Sequence, residues 1–87
     1  MDTEPDPIDE LEARALAVRR RLADPQRSYT DTQRTRADRN LTHAWDCRRY
    51  ARAARRRGDA AETAHQIHTA ELYTTEAEKE APDADHT

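Results

Sequence analysis

An all-α fold follows from three features of this 87-residue chain. Helix boundaries are punctuated three times, by Asp6-Pro7, Asp24-Pro25 and Gly58-Asp59. Between those marks apolar residues recur at spacings of three and four, the period of one helix face. No stretch shows the strict alternation of a half-buried strand. The expected architecture is three helices over about 7–23, 27–57 and 59–80 in a single small domain, with disordered ends at 1–6 and 81–87. Helices two and three are expected to form an antiparallel hairpin, with helix one packed on the first half of helix two.

The first helix is the clearest. Asp6 suits the N-cap, because its short carboxylate can accept from a free amide of the first turn. Pro7 at the first helical position loses nothing by lacking an N–H. Ile8, Leu11, Ala15, Val18 and Leu22 then lie along one stripe. Asp24 precedes a proline, which drives it out of the helical region and ends the helix near Ala23.

From Gln26 to Arg57 no proline or glycine intervenes. Ser28 with Asp31 offers a slightly later start in the manner of a capping box. Thr30, Asp31, Thr32 and Thr35 are modest helix formers, so a break near 36–40 is the alternative to one long helix. Leu41, Ala44, Cys47, Ala51 and Ala54 form a narrow seam whose small side chains permit a close helix neighbour. Gly58 supplies the left-handed terminator, and Asp59 with Glu62 opens the third helix. A link this short makes helices two and three antiparallel. The expected inward face of the third helix is Ala60, Ala64, Ile67, His68, Glu71 and Leu72, and Pro82 ends it. Glu71 then falls opposite about 45–49, where Arg48 or Arg49 is expected to pair with it. Such a pair fixes register at little net stability, because desolvation offsets attraction.

The hydrophobic content is thin. Only eight large aliphatic residues are present (Ile8, Leu11, Leu16, Val18, Leu22, Leu41, Ile67 and Leu72), and 34% of the chain is hydrophobic. A chain this poor in core material is expected to gain stability from a partner or from self-association. No stretch approaches the length and apolarity of a membrane span. The acidic N-terminus does not resemble a signal peptide. The single cysteine, Cys47, cannot form an internal disulfide, which makes a reducing cytoplasm the default location.

Charge is sorted into blocks. Residues 1–13 carry six acids and no base, residues 14–57 carry fourteen arginines against four aspartates, and residues 58–87 carry eight acids and one lysine. The formal net charge of −3 conceals this order. Helix dipoles account for part of it, since acids favour helix starts and the triplets Arg19–Arg21 and Arg55–Arg57 fall at helix ends. They do not account for a stripe along the second helix. At about 100° per residue, Arg34, Arg48, Arg49, Arg52, Arg55 and Arg56 share an arc of roughly 120°, and Trp45 lies within it. An indole among guanidinium groups suits cation–π contact, or stacking on a base. Tyr29, Tyr50 and Tyr73 are expected to pack beneath the helices, with interface anchoring as the alternative.

Other chemistry is weakly encoded. Glu62, His65 and His68 give a Glu-x-x-His and a His-x-x-His on one helix, and His43 with Cys47 stands one turn apart. Neither set has complementary ligands at the right height, so no metal or other cofactor is expected. Cys47 lies on the alanine seam and reads as a buried thiol. With one glycine in the chain there is no phosphate-cradling loop, no small-molecule substrate is evident, and the chain does not read as an enzyme. The sequence therefore points to a small cytoplasmic interaction or regulatory accessory protein. Its partner-binding residues would be Arg34, Trp45, Arg48, Arg49, Arg52, Arg55 and Arg56, with the alanine seam. The partner would be an acidic protein surface or another copy of the chain. The alternative is a nucleic-acid-binding accessory or repressor that lays its second helix along phosphates.

Overall fold

The computed structural model describes residues 4–83, which form three helices, α1 (Pro7–Ala23), α2 (Asp31–Arg56) and α3 (Ala60–Glu80), and no strand. The expected disorder at 1–3 and 84–87 lies outside the described residues. Within the described ends, Asp6 caps α1, the Ala81 side chain is fully buried, and the Tyr29 hydroxyl donates to the Pro82 carbonyl at 2.9 Å.

The capping chemistry of α1 follows the sequence. Asp6 Oδ1 accepts from the Ile8 amide at 3.0 Å, and Asp24 turns extended at the far end. Its carboxylate then accepts from the Gln26 amide at 2.9 Å, a local turn that sends the chain toward α2.

α2 begins later than the expected residue 27. Its cap is Thr30, whose hydroxyl accepts from the Gln33 amide at 3.0 Å while the Gln33 side chain accepts from the Thr30 amide at 2.8 Å. This reciprocal box satisfies two otherwise free amides and displaces the Ser28–Asp31 alternative, leaving residues 27–30 as connector. The helix then runs unbroken through 36–40. Ala37 and Leu41, fully or almost fully buried there, supply tertiary packing that outweighs the weak local propensity. At about 1.5 Å per residue, its 26 residues span most of the 43 Å length of the molecule.

Gly58, at φ 77°, closes the helix and lets the Asp59 amide reach back to the Ala54 carbonyl at 2.9 Å. Asp59 then caps α3 by accepting from the Glu62 amide at 3.0 Å. α2 and α3 form the antiparallel hairpin and the closest helix pair in the fold. The whole seam of α2 is buried, Leu41 through Ala54.

The face that α3 turns to this seam differs from the expected one. It is Ala70, Thr74, Ala77 and, past the helix end, Ala81, with Ile67 and Tyr73 partly buried beside it. His68 and Glu71 are exposed, and Leu72 is 54% exposed. The reason lies in the partner helix. An alanine seam offers shallow grooves, so small residues opposite it bring the backbones together and bury both faces, whereas a leucine there would hold the helices apart. Thr74 is tolerated because its hydroxyl donates to the Ala70 carbonyl at 2.7 Å.

α1 lies in the groove of the hairpin. Ala15 and Val18 join Ala37, Leu41, Ala77 and Ala81 in one cluster, which Leu22 and Tyr29 flank. Leu11 joins Cys47 and Ala70 in a second. α1 therefore packs on the first half of α2, and its charged contacts extend along the second half as far as Arg55. The result is a three-helix bundle whose α1 is held by a buried apolar stripe and by charged contacts at its flanks.

Candidate interaction surface

The arginine stripe of α2 divides into residues that bind α1 and residues that face outward. Arg55 grips Asp6 with two bonds, Nη1 to Oδ2 at 2.7 Å and Nη2 to Oδ1 at 3.1 Å. That grip, with the Ile8 amide, lowers the Asp6 carboxyl to about 2. Arg52 Nη2 bridges Asp9 and Glu12, each at 3.1 Å. Arg34 donates to the Leu22 carbonyl at 2.7 Å, satisfying a free acceptor at the end of α1, and lies 5.8 Å from the Tyr29 ring centroid. The acidic first block is thus the internal counterpart of the basic second helix.

The third block is paired from the other side. Arg14 of α1 holds Glu78 through Nε at 3.0 Å and Nη2 at 2.8 Å, and also donates to Thr75 at 3.2 Å. This bond keeps the Glu78 carboxyl below its usual range. Arg21 donates to the Ala81 carbonyl at 2.7 Å, and Arg27 meets Asp83 at 2.8 Å. The pairing expected for Glu71 is not made. Its side chain is 58% exposed on the α1 side, and its ion pair is with Arg14 at 3.9 Å. Placing the inward face of α3 at Ala70 and Thr74 turns residue 71 away from α2.

Trp45, Arg49 and Arg56 remain outside. Trp45 and Tyr50 are each about half exposed, and the Arg49 guanidinium sits 5.0 Å from the first ring centroid and 5.5 Å from the second. Its ion pair to Asp46, the one it makes among the described residues, is long at 3.7 Å. Arg56 is exposed, with no ion pair or hydrogen bond from its side chain among the described residues. The contacts Asp6–Arg55, Asp9–Arg52 and Arg19–Asp38 set the antiparallel register of α1 on α2. That register brings Leu16, itself 47% exposed, level with Trp45. Leu16 did not stand out in the sequence because it lies off the main stripe of α1; its departure from that stripe was the available signal. Beside this surface, an open groove of about 500 Å³ runs between Arg19, Leu22 and Ala23 of α1 and Arg34, Thr35 and Asp38 of α2.

Arg48 is the exception within the stripe. It is 5% exposed, and its Nε and Nη1 are buried with no hydrogen-bond partner among the described residues. Burial pushes its guanidinium down; Glu12 favours the charge, while Arg52 and Arg19 oppose it. Glu12 is already engaged by Arg52. A buried cation without a partner costs on the order of several kcal/mol, a large share of the stability of a small domain.

The remaining candidates show little convergence. Among the described residues no three His, Cys, Asp or Glu side chains gather as a metal site. His65 and His68 are exposed, and His43 stacks on Tyr73 at 4.9 Å and 29°. Burial, with Asp46 nearby, raises the Cys47 thiol above its ordinary value and disfavours the nucleophilic thiolate. The alanine seam is spent on α3 and is closed to any partner. No described helix is long and apolar enough to cross a membrane. Compared with models of protein families, with curated proteins and with solved structures, the chain matches none, so its chemistry rests on the residues above.

Proposed function

We propose that the chain is a small cytoplasmic accessory or regulatory protein that binds a protein partner through the outer face of α1 and α2. The observation that carries this reading is the half-exposed pair Trp45 and Tyr50 with Arg49 lying over both rings. Aromatic and arginine side chains anchor protein interfaces more than other types, because each buries a large area and retains polar contact. Leu16 widens the apolar centre, and charged residues surround it, which matches the arrangement of an interface core and rim. A binding role rather than an enzymatic one is supported by the burial of Cys47, which raises its thiol above the ordinary value and disfavours the nucleophilic thiolate.

The competing role, binding nucleic acid along α2, is disfavoured by two features. Arg34, Arg52 and Arg55 are occupied within the fold. The outer face also carries Asp9, Glu12, Asp38 and Asp46, and carboxylates interleaved with arginines repel a continuous line of phosphates.

A photo-crosslinking amino acid placed at Arg49, and separately at Leu72 on the outer face of α3, tests the reading in the native host. A protein adduct specific to position 49 is the expected outcome. Equal adducts at both positions, or an adduct with nucleic acid at 49, would overturn it. A gel shift with DNA and RNA at low salt should show no retardation.

A further inference from the structure

Arg48 is buried without a hydrogen bond for its Nε or Nη1 among the described residues. It stands on the side of α2 toward α1, whose Glu12 and Arg19 are among its charge neighbours, together with Arg52 of its own helix. Glu12 Oε1 accepts from Arg52, which also takes Asp9, and Glu12 favours the Arg48 charge without a hydrogen bond to it among the described residues. Arg19 and Arg49, on either side, hold their own acids only at 3.5 and 3.7 Å. These long contacts are weak enough to re-pair. Two exposed apolar side chains, Leu16 and Trp45, stand at one level of α1 and α2, three residues of α2 from a recessed cation without a hydrogen-bond partner among the described residues.

The geometry points to Arg48 as the receptor for a partner's carboxylate. The partner is an amphipathic segment of another protein that carries one carboxylate beside its apolar face. Its aspartate or glutamate enters between α1 and α2, while an adjacent apolar side chain seats on Leu16 and Trp45. A carboxylate matches the guanidinium fork, and one isolated carboxylate avoids the repulsion that Glu12, Asp38 and Asp46 impose on a polyanion. Charge complementarity selects an acid, since Asp9, Glu12, Asp38 and Asp46 each pair with Arg52, Arg19 or Arg49 and leave Arg48 as the cation without a hydrogen-bond partner among the described residues. Two of the guanidinium's three nitrogens, Nε and Nη1, are already buried in the free protein. Binding a carboxylate there strips less water from the receptor than at an exposed arginine, which favours specificity for an acid. This inference rests on the outer α1–α2 face being the docking surface.

The test uses the full chain, its Arg48→Met variant and its Trp45→Ala variant, with peptides selected from a displayed random library on the unmodified protein. Arg48→Met should raise the thermal midpoint by several degrees, because it replaces an unpaired buried charge with an apolar stem of similar length. Selected peptides should carry Asp or Glu beside an apolar residue. Changing that acid to its amide should weaken binding to the unmodified protein by about 30-fold or more, and leave binding to Arg48→Met changed by less than about 3-fold.

Lowered stability of Arg48→Met would show a structural role and overturn the inference. An equal amide penalty in both proteins would do the same, as would selected peptides without acids. In each of those cases the docking surface stands if binding still requires Trp45. Peptides indifferent to Trp45→Ala, or no selected peptides at all, would instead remove the surface and the inference with it. Sedimentation of the protein alone addresses a second copy as occupant. A monomer is expected, and a dimer abolished by Arg48→Met would contradict the choice of a separate partner.

Discussion

The face that α3 presents to α2 is the sharpest structural departure from the sequence pattern, and two substitutions test it against each other. Ala70 is fully buried against Leu11 of α1 and Cys47 of α2. Replacing Ala70 with Leu inserts three carbons where small residues set the helix spacing, and overpacking of this kind costs about 1–3 kcal/mol. In a domain of this size each kcal/mol shifts the melting midpoint by about 4–8 °C, so Ala70→Leu should melt roughly 5–20 °C lower. Leu72 is 54% exposed. Truncating it to alanine forfeits only part of a side chain's burial, roughly 1 kcal/mol at most, and alanine's better helix propensity returns about 0.2 kcal/mol of that. Far-UV circular dichroism during thermal and urea unfolding reads both variants. A greater loss of stability for Leu72→Ala than for Ala70→Leu would refute the packing described for α3.

Three further outcomes follow from the charge network and the core. A double-mutant cycle on Arg14→Met and Glu78→Gln should return a coupling of about 1 kcal/mol, more than a typical exposed pair, because the contact is bidentate and only part-exposed; a coupling near zero in urea titrations would remove it from the forces holding α1. The Asp6 carboxyl, at about 2 in the folded chain against an ordinary 3.8, contributes stability that is complete above its unfolded value and is lost as pH falls from about 4 toward 2. Accordingly Asp6→Asn should be less stable than the unmodified chain at neutral pH, with the difference vanishing near pH 2, and an NMR titration should find Asp6 returning toward 3.8 in Arg55→Gln. The Cys47 thiol should react with a disulfide reagent at mildly alkaline pH only at the rate of local or global opening, since burial raises its pKa; rapid labelling of the folded protein would contradict its burial.

The parts of the fold legible in the sequence are those governed by local chemistry. Asp6-Pro7 and Gly58-Asp59 mark helix boundaries because capping and left-handed backbone depend on the residue itself. The seam from Leu41 to Ala54 was legible because helical period and small size point to the same face. The α3 face was not, since Ile67 and Leu72 are its only large aliphatics and draw the eye to a stripe that the alanine seam opposite cannot accept. The start of α2 depended on which of two neighbouring boxes could close reciprocally, and Gln33 reaches Thr30 in both directions.

The seven stripe residues show the same limit. Their common face on α2 was readable from spacing alone. Their division was not, because it depends on where α1 lies. Asp6, Asp9 and Glu12 meet Arg55 and Arg52 only once α1 runs antiparallel along nearly the whole of α2. The acidic–basic–acidic order of the chain is then mostly an internal zipper, and Trp45, Arg49 and Arg56 are what it leaves outward.

A substitution scan of the stripe, read for stability by urea unfolding, tests this division most directly. Arg34→Ala, Arg52→Ala and Arg55→Ala should each destabilise the fold, while Trp45→Ala, Arg49→Ala and Arg56→Ala leave it within about 0.5 kcal/mol of the unmodified protein. Near-zero effects at all six positions, or losses confined to Arg49 and Arg56, would contradict it.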